Sequence, residues 1–175
     1  MDVPCLTIHK KQGGKMNKNI RFIVSQAIIA SLYVVLTVVV GPFSYMAMQL
    51  RISEILVLLC FYKKDYIVGL TLGCLIANLF SPMLIYDITL GLLATVLSLI
   101  CVSKSKNLYI AAIFPVVFNS LLVGLELTLA YKLPYFLSAL EVGCGELIVM
   151  IVGVIVFKIL EKNKKVMNLI TFQEK

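Results

Sequence analysis

Six apolar runs, at residues 20–40, 52–62, 66–80, 88–102, 108–131 and 135–157, take up most of this chain and are separated by short polar breaks. The basic residues sit almost entirely in alternate breaks. With the N-terminus placed inside, Lys10, Lys11, Lys15, Lys18 and Arg21, then Lys63 and Lys64, then Lys104 and Lys106, then Lys158, Lys162, Lys164, Lys165 and Lys175 all fall on the inner side. Only Arg51 and Lys132 remain outside. A helix satisfies its own backbone in lipid, and Lys/Arg bias in short loops orients a bundle of helices. The expectation is therefore an all-α integral membrane protein, a bundle of six transmembrane helices with both termini inside.

Composition narrows the function classes. Hydrophobic residues make up 61% and charged residues 14%, where a soluble domain carries about a quarter charged, so an ordinary soluble enzyme is excluded. A β-barrel would show strands of alternating polarity rather than long apolar runs. The net charge of +7 follows from topology, and nucleic acid is not an expected partner. Cys60, Cys74, Cys101 and Cys144 lie in apolar runs and read as small packing residues. His9 has no partner at ligand spacing, so no metal site is expected.

Residues 1–19 read as a flexible cytoplasmic tail, 20–160 as the six-helix domain and 161–175 as a basic cytoplasmic tail. Gly13-Gly14-Lys15-Met16 is what a translated ribosome-binding site would encode, which makes Met16 a candidate natural start. The segment before it has no apolar core and is no signal peptide.

The second, third and fourth runs have only 11, 15 and 15 residues, against roughly 20 needed to cross a bilayer. Their inner ends are pinned by Lys63, Lys64 and Asp65, the last placed to cap the third helix, and by Lys104 and Lys106. The shortfall is thus on the outer side, where residues 41–51 and 81–87 would form loops. Irregular backbone at membrane depth is tolerated where it lines a wet cavity, so the expectation is an outward-facing cavity roofed by these two loops.

The polar residues cluster at that depth. Arg51 and Glu54 open the second helix from outside, Asn78 lies near the outer end of the third and Asp87 precedes the fourth. Glu126 lies about 7.5 Å from the outer end of the fifth helix, Glu141 about 9 Å and Glu146 about 16 Å down the sixth. Asn119 shares a helix face with Glu126, whereas Glu141 and Glu146 are about 140° apart, so one of them needs another partner. Ionisable groups in a span are functional by default. Arg51 with Glu54 also reads as an i,i+3 salt bridge, Asn78 as an interhelical hydrogen bond, and Tyr45, Tyr86, Tyr131 and Tyr135 as interfacial anchors. On the first helix Ala27 and Ser31, with Ala30 beside them, form a small-xxx-small step that suits close helix packing, either within the bundle or against a partner subunit.

No GxxxxGK[ST] loop is present, so the chain cannot itself bind ATP through such a loop. A binding subunit powered by something else fits best. A stand-alone proton-coupled carrier and an intramembrane enzyme using paired carboxylates are the alternatives, the latter without a nucleophile motif or a His in the bundle.

The runs Ala30 to Thr37, Gln49-Leu50-Arg51-Ile52-Ser53-Glu54, Gly69 to Asn78, Gly91-Leu92-Leu93-Ala94-Thr95 and Asn119 to Glu126 together resemble the QueT family. That resemblance implies a six-helix S component of an energy-coupling factor (ECF) transporter, in a bacterial cytoplasmic membrane, with an extracellular-side site for queuosine precursors. The implied partners are two ATPases, which use the ATP, and a transmembrane coupling subunit. The family's docking pattern of Ala-xxx-Ala would map to Ala27 and Ser31. A 7-deazaguanine base presents an N–H and an NH₂ side by side, which one carboxylate can accept in bidentate fashion. Glu126 or Glu141 could do this, with Asn78, Asn119 or Gln49 donating to the carbonyl. An aminomethyl substituent, as in 7-aminomethyl-7-deazaguanine, would take a further carboxylate, and queuine is the other precursor to consider.

Overall fold

The computed structural model describes residues 17–40 and 51–171; residues 41–50 of the expected 41–51 loop, Tyr45 and Gln49 among them, lie outside them. All described elements are helices: α1 (Lys18–Val39), α2 (Ile52–Tyr62), α3 (Tyr66–Asn78), α4 (Leu84–Lys104), α5 (Leu108–Tyr131), α6 (Tyr135–Glu161) and α7 (Lys164–Thr171). Four of them, α1, α4, α5 and α6, are long and apolar enough to cross a membrane, with mean hydropathy of 2.1 to 2.3. Their outward faces carry large exposed aliphatic side chains, among them Ile23, Ile28 and Val35 on α1 and Ile148, Ile151 and Ile155 on α6. Continuous apolar surface of this kind is incompatible with water and natural in lipid.

Asparagine side chains cap the starts of α1 and α5. The Asn17 carboxamide oxygen accepts from the Asn19 N–H at α1, and that of Asn107 accepts from the Tyr109 N–H at 2.9 Å at α5. Asp65 does not cap α3 as expected: the Tyr66 and Ile67 N–H groups reach the carbonyls of Lys63 and Lys64 instead, each at 3.2 Å. A left-handed Lys132 (φ 57°) ends α5 and turns the chain toward α6.

Small residues set the helix spacing. Gly69 and Gly73 of α3 lie against Gln26 and Ala30 of α1, and the Gln26 side-chain oxygen accepts the Gly69 N–H at 2.8 Å. Gly124 of α5 meets Ala139 of α6, and Ser120 donates to the Ala139 carbonyl at 2.7 Å. A methyl group at Gly124 would sit 2.7 Å from Ala139 Cα, and backbone cannot give way there. Gly124→Val should therefore force α5 and α6 apart and cost about 1–3 kcal/mol. An unchanged thermal midpoint for the detergent-purified variant would contradict this packing account.

Several expected boundaries move. The fourth helix runs from Leu84 to Lys104 rather than from 88 to 102, so it has 21 residues instead of 15 and contains most of the expected 81–87 loop. It achieves this with wide turns at Asp87–Gly91, a local irregularity that periodicity cannot reveal. The expected C-terminal tail is also structured in part. Asn163 caps α7 by accepting from the Lys165 and Val166 N–H groups, and the Tyr66 hydroxyl donates to the Ile170 carbonyl, folding α7 under the bundle. There it closes a core that includes Cys60, Tyr66, Phe157 and Leu160, where Tyr62 stacks on Phe157 with centroids 5.4 Å apart.

Candidate functional site

The first seven residues of α2, Ile52–Leu58, form a 3-10 helix. At three residues per turn, positions i and i+3 eclipse, so Arg51 and Glu54 point to the same side, and the Glu54 N–H bonds the Arg51 carbonyl at 2.9 Å. The tighter winding also rises faster, which stretches eleven residues to about 20 Å. Both side chains are buried.

Arg51 and Glu54 do not pair with each other. The Arg51 guanidinium forms an ion pair with Asp87, whose other oxygen accepts from Ser81. The Asn78 amide donates to the Asp87 carbonyl at 2.8 Å. These contacts tie the starts of α2 and α4 to the end of α3. Glu54 takes the Tyr33 hydroxyl at 2.6 Å and lies 3.4 Å from the Thr95 hydroxyl, which is in turn 3.4 Å from the Cys74 thiol.

Gly91, within the wide turns of α4, opens the space beside this network. A methyl group there would lie 3.3 Å from Asp87 Oδ1, 3.4 Å from Glu126 Oε2 and 3.6 Å from Asn78 Nδ2. Glu126 of α5 therefore faces Asp87 and Asn78 with no side chain between them. From α6, Glu146 is buried within electrostatic reach of Glu54, and Asn119 of α5 is buried near both carboxyl groups.

Four carboxyl groups, those of Glu54, Asp87, Glu126 and Glu146, are thus buried with Arg51, the one buried cation among the described residues. Asp87 is well satisfied. Both oxygens of Glu126, Oε2 of Glu54, Oε1 of Glu146 and Nε of Arg51 have no hydrogen-bond partner among the described residues. Buried polar atoms are normally satisfied, and each exception calls for an explanation. These atoms form a set of acceptors around a guanidinium donor, suited to a compact polar solute carrying several N–H groups and a carbonyl.

The structure thus brings together seven residues marked from sequence: Arg51, Glu54, Asn78, Asp87, Asn119, Glu126 and Glu146. Glu141 is only partly buried, and five residues of helix turn it about 140° away from Glu146. Sequence reasoning missed Tyr33, Ser81, Gly91 and Thr95 as site residues. Tyr33 and Thr95 could have been noticed as polar groups inside apolar runs, whereas Ser81 and Gly91 carry no such signal.

On α1, Ala27 and Ser31 face outward, and the Ser31 hydroxyl satisfies itself on the Ala27 carbonyl at 2.7 Å. With Phe22, Ile23, Leu72 and Ile76 they line a groove of about 650 Å³ between α1 and α3. Ala30 turns partly inward, its backbone against Gly73.

Comparison with known proteins identifies a family. The sequence profile described as QueT transporter matches residues 23–162. The chain is 31% identical over 157 residues to the "Queuosine precursor transporter QueT" of Lactococcus lactis subsp. cremoris (strain MG1363), covering 81% of this chain and 92% of that relative. No solved structure matches. The family and this relative are transporters rather than enzymes, and the apolar helices fit a multi-pass membrane protein. From the profile match across the whole helical bundle and the identity over most of its length, the chain belongs to the QueT transporter family.

Proposed function

We propose that this chain is the substrate-binding S component of an ECF transporter, taking up a queuosine precursor with a 7-deazaguanine base across a bacterial cytoplasmic membrane. The observation that carries this reading is the set of buried carboxylate oxygens and the buried Arg51 Nε that have no hydrogen-bond partner among the described residues. A 7-deazaguanine base offers the complement. Its N–H and NH₂ suit Glu126, and its carbonyl suits a donor such as Arg51. In this reading all six helices α1–α6 span the bilayer with both ends of the chain inside. At about 20 Å each, α2 and α3 leave the site toward the outer face. The groove along Ala27 and Ser31 receives the transmembrane coupling subunit, whose two associated ATPases supply the energy.

Uptake of labelled 7-deazaguanine bases by cells carrying this chain, with and without the energising subunits, tests the reading. Accumulation should require both. Uptake that persists without the module would overturn it in favour of a proton-coupled carrier acting alone. Ser31→Leu places a bulky side chain where two helices must approach, so it should abolish most uptake while base affinity stays within about twofold, well under the 1.4 kcal/mol of one decade. If affinity and uptake fall together, that face of α1 is not the docking surface.

A further inference from the structure

The start of α1 borders a cleft that the polar site does not use. Lys18, Arg21 and Phe22 of α1, with Lys63 and Asp65 from the turn between α2 and α3, line about 230 Å³ there. Three cations face one carboxylate, an excess of two positive charges. The Lys63 ammonium lies 4.0 Å from the Asp65 carboxylate and 5.3 Å from the centroid of the buried Tyr66 ring, which hold it at the cleft. Phe22 lines both this cleft and the groove between α1 and α3, so the two meet at its side chain. From Phe22 to Val35 the groove follows α1 for about 20 Å, enough for the hydrocarbon of one leaflet, half of the roughly 30 Å core. Its α3 wall is Val68, Leu72 and Ile76, all exposed aliphatic side chains. A second observation points to a ligand. Gln26 lines the groove and is only 6% exposed, yet its Nε2 has no hydrogen-bond partner among the described residues. It follows Lys18 and Phe22 along one helix face, one turn or about 6 Å beyond Phe22.

We infer that this cleft and groove hold one anionic glycerophospholipid, with its phosphate among Lys18, Arg21 and Lys63 and one acyl chain running along the groove toward Val35. A guanidinium and two ammonium groups suit phosphate oxygens, and basic pockets between spans are where lipid headgroups bind. A headgroup with its own ammonium would bring a like charge to an excess of positive charge, so the lipid is anionic rather than zwitterionic. The ester carbonyls sit next to the phosphate on the glycerol, at the depth of Gln26, whose amide donates to one of them. The groove commits the occupant to a lipid, since a free phosphate would fill only the cleft. In the assembly of the proposed function the coupling subunit takes this groove; the lipid is its occupant in the lone chain. The inference does not depend on which substrate is transported.

The test is native mass spectrometry on the purified full chain, titrated with dioleoyl phosphatidylglycerol or dioleoyl phosphatidylcholine. Identical acyl chains isolate the headgroup. The wild type should retain one phosphatidylglycerol and bind it about 10- to 30-fold more tightly than phosphatidylcholine, the worth of about two cations at a headgroup. Arg21→Gln combined with Lys63→Gln should bring phosphatidylglycerol down to the level of phosphatidylcholine. Ala27→Phe, which fills the groove, should weaken both lipids together. Equal affinity for the two lipids in the wild type would overturn the inference even if a variant failed to fold, and so would a preference that survives the double variant. Displacement of phosphatidylglycerol by an equal concentration of glycerol phosphate would reduce the site to a phosphate cleft and overturn the place of the acyl chain. Unchanged lipid binding by Ala27→Phe would do the same. A lone chain that carries no lipid and runs as a dimer would assign the groove to a second copy.

Discussion

Glu126→Gln is expected to weaken binding of a 7-deazaguanine base by about 30- to 1000-fold while leaving the protein folded. The substitution keeps the shape but replaces one acceptor oxygen with an NH₂, so a donor on the protein would face a donor on the base. Losing a charged hydrogen bond and burying that mismatch costs about 2–4 kcal/mol, which gives the stated range at 1.4 kcal/mol per decade. The fold should tolerate the change because neither Glu126 oxygen holds a structural partner among the described residues. Calorimetry on the purified variant decides: unchanged affinity would remove Glu126 from the base edge.

Arg51→Met should have the opposite character, damaging the fold first. Arg51 and Asp87 are buried, at 4% and 0% exposure, and their ion pair joins α2 to α4. Removing the guanidinium leaves the Asp87 carboxylate with Ser81 as its remaining side-chain partner among the described residues, in a cluster that already has an excess of acid. Breaking one side of a buried pair costs about 3–5 kcal/mol, whereas replacing both sides by apolar groups is often close to neutral. SDS titration of the purified protein should therefore show a strongly destabilised Arg51→Met. The double variant Arg51→Met/Asp87→Leu should recover most of the loss. A single variant as stable as the wild type would mean that the pair contributes nothing to holding α2 and α4 together.

The two variants together separate roles that a list of buried charges cannot. Asp87 is saturated by Arg51 and Ser81, so it is a structural anchor of the site. Glu126 has the same burial but no partner among the described residues, and it is the group left available to a ligand.

The all-helical, apolar character of the chain is legible in its residues, because runs of lipid-compatible residues satisfy their backbone as helices. Most of the candidate polar residues are legible there too, since a charge in an apolar run stands out without any knowledge of packing. Composition could not reveal the wide turns at Asp87–Gly91 or the 3-10 winding of Ile52–Leu58. Both are backbone irregularities stabilised by what packs around them, and they decide where Arg51, Glu54 and Asp87 point. Pairing belonged to the tertiary structure alone. Three residues of spacing suggested Arg51 with Glu54, yet the fold brings Asp87 to Arg51 from 36 positions away and Tyr33 to Glu54 from 21. It also turns Glu146 inward and leaves Glu141 partly exposed. Hydrophobic patterning places a residue on a helix and at a depth, but the neighbour that satisfies a buried charge comes from another helix, and only the packed bundle specifies which one.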